Sequence, residues 1–161
     1  MTTIDLPQLM RDFCRERTAL LMRHEDVAVH VPDYDINNAY QFIVAREETH
    51  VSWLQHALLD LGAPIPADPA RPTAIVAKGV SWKALAAADG RANAQFVETW
   101  RPRVDEVTHA RHKGMLTVIL GEMLEHKRLF EQAAAGRQDL IGTSLAINDH
   151  PGTVLGTRWV E

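Results

Sequence analysis

The stretch AREETHVSWLQHALLDLG, residues 45–62, sets Glu47 and His50 three apart inside a run whose apolar residues return every three or four positions. Extended backwards, the stripe reads Ile36, Tyr40, Ile43, Glu47, His50, Leu54, Leu58 and Leu61, a helical period and not the alternation of a strand. Gly62 follows as a C-terminal stop. At 3.6 residues per turn, Glu47 and His50 lie about 60° apart on the inward face, and Glu48 points to solvent. A carboxylate or an imidazole on a core face is costly unless something pairs with it. The partner is either a metal or a hydrogen-bond network.

A chain of 161 residues is long enough for one domain with a real core. With 46% apolar and 24% charged residues it has the composition of an ordinary globular protein. A net charge of -4 offers no electrostatic ground for binding nucleic acid or an anionic membrane surface. Cys14 is the only cysteine, so neither an intrachain disulfide nor a cysteine-based zinc site can form. The N-terminus lacks a basic start followed by an apolar run, and no window approaches the ~18 apolar residues of a membrane span. The expected location is the cytoplasm.

Leu6, Leu9, Phe13, Leu20 and Val27 mark a first helix over 5–30. HVPDYD (30–35) breaks it, with Asp33 or Asp35 able to cap a second helix over about 36–61. APIPADPARPTA (63–74) contains four prolines and reads as a long crossover connection. A third helix starts near Ser81 and ends before Pro102; a fourth runs over 102–135, with Gly136 as its stop. Gly114 inside the fourth costs roughly 1 kcal/mol relative to Ala and marks a place for a bend. Together these predict an all-α, antiparallel four-helix bundle over 1–136. Residues 137–161 form an irregular C-terminal arm packed on the bundle or on a partner subunit.

The fourth helix carries GEMLEHKRLFEQ (121–132). Its stripe of Leu116, Ile119, Met123 and Phe130 passes through His126; Glu122 borders that stripe, and Glu125 lies further round. Across the turn at Pro32, Glu16 is 16 residues before and Glu47 is 15 after, so the two are level. By the same reflection His24 stands opposite Tyr40. With a turn near Arg101, the residue level with Glu122 is Val80, and Asp89 and Glu98 fall at other heights.

REETH in the second helix and GEMLEH in the fourth together resemble the ferritin-like di-iron carboxylate superfamily, including rubrerythrin and bacterioferritin relatives. The resemblance spans roughly residues 5–135 and implies a ferritin-like bundle. It implies Glu16 as a terminal metal ligand, Glu47 as a bridge and His50 as the end of one metal's shell. Glu122 would bridge from the other side, His126 would complete the second metal, and Glu125 could stand in for the missing third-helix ligand. The fourth helix departs from the family in spacing its pair Glu-x-x-x-His. The implied cofactor is iron (di-iron) or manganese, reduced to a single metal where the second half is incomplete. The implied activity is that of a di-iron oxidoreductase using oxygen or peroxide, or metal handling, in a homodimer or other homo-oligomer.

Two alternatives stand beside this. The first is a metal-free bundle, serving as a dimerising interaction module, in which the buried groups pair with Arg17, Arg23, Arg46 or Arg128. The second is a mononuclear hydrolase using His50, His126 and either His109 or His112. Met10, Met22, Met115 and Met123 read as packing. Ser144, Asp149 and His150 lack the surroundings of a nucleophile elbow.

Overall fold

Capping side chains start the helices. Asp5, Asp33 and Ser81 accept the backbone N–H of Gln8, Ile36 and Ala84, which opens α1 (Leu6–Ala28), α2 (Tyr34–Asp60) and α3 (Trp82–Asp105). A ring nitrogen of His109 does the same for His112 at the head of α4 (Ala110–Ala134). The computed structural model describes residues 4–71, 79–137 and 139–142. Among these there are four helices and no strand. Most of the arm expected at 137–161, with Ser144, Asp149 and His150, lies outside the described residues; Leu140, at its start, packs against the bundle. Gly62, just past α2, takes a φ of 66°, the left-handed conformation in which glycine closes a helix.

The third and fourth helices differ from the boundaries read in the sequence. α3 runs through Pro102 to Asp105, and α4 begins at Ala110 and not at 102. Proline removes one backbone donor, leaving the Glu98 carbonyl without its helical bond, but Glu98 and Pro102 both face water. The final turn is held by its other side, where Trp100, Val104 and Val107 are buried. Tertiary burial overrides the local break.

α1 packs along α2 and α3 along α4, with lesser contact between α1 and α3 and between α2 and α4. Gly90 permits the close approach of α3 to α4. A Cβ there would stand 3.3 Å from Glu131 Cγ and 3.6 Å from both the Lys127 carbonyl and Phe130 Cβ.

The core has two apolar clusters. One gathers Met10, Phe13, Leu54, Leu58, Phe96, Trp100, Leu116, Ile119 and Met123, with the Phe13 ring edge-on to Phe96 and Trp100. The other gathers Val27, Ile36, Tyr40, Ile43, Leu85 and Phe130. Between the two blocks on every helix sit polar residues: Arg17 and His24, Glu47 and His50, Asp89 and Asn93, and His126. Among the described residues no helix is long and apolar enough to cross a membrane.

Candidate functional site: a polar layer across the bundle

Glu47 is the hub of this layer. Its side chain is fully enclosed, with Oε1 2.7 Å from Arg17 Nη2 and Oε2 2.7 Å from His24 Nδ1. His126 Nδ1 stands 3.7 Å from Oε1. Burial alone would raise the Glu47 carboxyl; Arg17 foremost, then His24 and His126, outweigh it and hold the group well below the usual carboxylate range. Glu47 is therefore an anion in a dry interior, and Arg17 is the fixed cation that meets it.

Towards one face the layer continues through His50. Its Nδ1 lies 3.5 Å from Arg17 Nη2 and its Nε2 lies 2.7 Å from Glu122 Oε2. Burial, reinforced by Arg17, pushes the imidazole down to about 4, so it is neutral at physiological pH. Arg46 grips Glu122 with Nε and Nη2, both at 2.5 Å, which with His50 brings that carboxyl down to about 2 against the pull of burial. The Arg46 guanidinium also lies over the Trp53 ring, 5.1 Å from its centroid.

Towards the opposite face the layer ends in Asp89. Arg23 Nε donates to its Oδ1 at 2.6 Å, Tyr40 Oη donates to its Oδ2 at 2.7 Å, and His24 Nε2 lies 4.0 Å from Oδ1. Burial and then the Asp89 carboxylate push the Tyr40 phenol far up, so it remains a donor. Asn93 Nδ2 donates to the Met123 carbonyl at 3.2 Å, tying α3 to α4. Arg23–Asp89, His24–Glu47–Arg17 and His50–Glu122–Arg46 thus form a file of polar groups crossing the bundle.

The structure gathers four of the six residues singled out by the resemblance: Glu47, His50, Glu122 and His126. Glu16 is not among them. It faces outward and accepts from Trp100 Nε1 at 2.7 Å, and its neighbour Arg17 takes the inward place. Glu125 is also exposed, on the wall of a surface cleft. The His109–His112 pair sits at the head of α4, rings 4.3 Å apart. From His112 to His126 is 14 residues along one helix, about 21 Å, so the two cannot share an ion. His24 bonds Glu47 and not Tyr40, and Arg128 takes no part in the file.

Arg17, His24, Asp89 and Asn93 complete the layer, and the sequence reading set none of them among its ligands. For Asp89 and Asn93 the missing signal was the position of the turn. With the loop centred near Val107–Thr108, Asn93 stands opposite Met123, and Asp89 stands near the height of His126.

The donor set does not fit two divalent metals. Arg17, Arg23 and Arg46 already match Glu47, Asp89 and Glu122, three cations for three carboxylates. Two further dications would leave a large uncompensated positive charge in the layer. Among the described residues, no group of three or more His, Cys, Asp and Glu side chains is arranged to hold a metal ion.

Between α2 and α4 a cleft of about 440 Å³ opens onto the layer, with Arg46, Glu122 and His126 forming part of its lining.

Compared with known proteins, the chain matches no family model, no curated protein and no solved structure. The four-helix, all-α bundle is compatible with a ferritin-like fold.

Proposed function

We propose that this chain is a ferritin-like antiparallel bundle, with the proline-rich stretch 63–74 as its crossover, that works without a resident metal as a binding or interaction module. One observation carries the reading. Arg17 is fully buried, and its guanidinium lies 2.7 Å from Glu47 and 3.5 Å from His50, where the resemblance would put a cation. An arginine supplies that positive charge permanently, because it does not deprotonate in proteins. In this reading the layer aligns four helices through directional bonds, and neither oxygen nor peroxide chemistry is assigned to it.

Metal analysis of the purified chain, as isolated and after anaerobic loading with iron or manganese, tests the proposal. Strongly substoichiometric metal is the expected result. One or two tightly bound equivalents would overturn it and restore an oxidoreductase or hydrolase reading. A single-metal reading has one observation in its favour: His126 Nδ1 is buried without a hydrogen-bond partner among the described residues and stands 3.7 Å from Glu47 Oε1, which Arg17 also meets. It would require Arg17 to withdraw, and Arg17→Ala distinguishes the two readings. If a metal normally displaces Arg17, the variant binds metal at least as tightly and keeps its stability when loaded; if Arg17 is the native cation, the variant is destabilised and metal-poor.

A further inference from the structure

The cleft between α2 and α4 lies beside the point where the chain leaves the bundle. α4 ends at Ala134, two residues beyond Gln132 on the cleft wall. Leu140 then packs against the cluster of Val27, Tyr40, Ile43 and Phe130, and Leu129, another wall residue, packs against the same cluster. The backbone is therefore tied down next to the cleft when it reaches Gly142. Phe42 and Leu129 give the cleft its apolar walls. Phe42 and Ile141 stay 45% and 52% exposed, although each adjoins in sequence a residue of that cluster, Ile43 and Leu140. Two large apolar side chains are thus left in water at the end of the bundle where the chain departs.

We propose that the cleft is a docking site for residues 143–161 of the same chain, TSLAINDHPGTVLGTRWVE, with Trp159 as the anchor against Phe42 and Leu129. Leu145, Ile147, Val154, Leu155 and Val160 accompany Trp159 in these 19 residues, an apolar share above that of segments that stay solvated. The reach is ample. From Gly142 to Trp159 is 17 residues, about 55 Å when extended, against about 15 Å for the Glu122–Gln132 length of the cleft. A cleft of about 440 Å³ has room for an indole, the ring that most often anchors an apolar contact. Arg158, beside that anchor, can then meet Glu125, a wall carboxylate with no ion pair among the described residues. That exposed pair gives direction more than strength. The chain's own segment is favoured over another copy's because Leu140 roots it on the bundle, which sets an effective concentration near the millimolar range. Docked there, it would shut water from the Glu122 end of the polar layer, whose side chain is 27% exposed. Phe42, Leu129 and Trp159 take no part in the ion pairs of that layer, so the inference stands apart from the question of a metal.

The test uses the full chain carrying Gly156→Cys. Cys14 is buried, which leaves the new thiol as the accessible one for a nitroxide label. In isotope-labelled protein the amides of Phe42, Leu129 and Gln132 are expected to lose most of their intensity to the nitroxide and to regain it on reduction. Gln8, near the start of α1, should keep its own. Phe42→Asp and Trp159→Ala, each checked for parental helicity, should each return the cleft amides to full intensity. Cleft amides that stay sharp in the spin-labelled chain would overturn the inference, as would broadening that survives either substitution. A mixture of spin-labelled chain without isotope and isotope-labelled chain without nitroxide reads the source of the segment. Sharp cleft amides are expected there. Broadening in the mixture as strong as in the single preparation would seat another copy's segment in the cleft and overturn the assignment to the same chain.

Discussion

Glu16 and Arg17 are adjacent, yet only Arg17 enters the core, because one residue turns a helix by about 100°. The buried face of α1 is Met10, Phe13, Cys14, Arg17, Leu21, His24 and Val27. Read from apolar residues alone, the stripe skips Arg17 and His24 and drifts to Leu20, which brings Glu16 inward. The inward carboxylate and imidazole of α2 were legible because strong apolar neighbours bracket them on both sides; the arginine was not, because a long cation is expected at the surface. Arg17→Ala should cost about 3–5 kcal/mol in denaturant unfolding, since it strands a buried carboxylate. In a double-mutant cycle, Arg17→Met with Glu47→Gln should cost less than the sum of the two single changes, by on the order of 2 kcal/mol; additivity would show that the pair is uncoupled. For His50 the sign follows from its position near 4 in the folded protein against an ordinary 6.5. As pH falls below about 6.5 the unfolded chain takes up that proton first, so stability drops progressively until about pH 4, by up to roughly 3 kcal/mol. His50→Gln should flatten the pH dependence of the denaturation midpoint in that window.

At the scale of helices, the decisive misfit was Pro102. Local rules end a helix before a proline, and doing so here slides the turn to Arg101 and sets Val80 opposite Glu122. With the loop at Glu106–His109, the same reflection brings Asn93 and Asp89 into the layer. The break is overridden because stopping early would leave Val104 and Val107 out of the core. Pro102→Ala should therefore stabilise the protein by about 1–2 kcal/mol, since it restores a donor in an exposed turn, less what the proline takes from the unfolded chain; a lower thermal midpoint would mean the proline shapes the loop. Gly90 has the opposite role. Gly90→Ala asks only the exposed Glu131 side chain to move a few tenths of an ångström and should change stability by no more than about 1 kcal/mol. Gly90→Leu has to push α3 off α4 and should cost about 1–3 kcal/mol.

For the molecule as a whole, a layer neutralised by its own arginines predicts indifference to chelators. Prolonged treatment with EDTA should leave the thermal midpoint unchanged; a fall of several degrees would reveal a structural metal. Acid should be the effective denaturant. Glu122 and Glu47 sit below their ordinary 4.5, so the stability they contribute is complete above that pH; Glu122's share is lost as pH falls towards about 2, and Glu47's as pH falls well below the usual carboxylate range. Far-UV ellipticity followed from pH 7 to pH 2 should show unfolding start in the His50 window and steepen below about 4.5. The number of helices, the caps at Asp33, Ser81 and Gly62, and the inward placing of Glu47, His50 and His126 could all be read from residue order, because helical period and capping are properties of one segment at a time. What neutralises those groups could not. Arg17 meets His50 across 33 residues, and Arg23 meets Asp89 across 66. Such pairs depend on the height and rotation of one helix against another, and these are set by loop position and core packing, so only the assembled bundle decides that Glu47 faces an arginine.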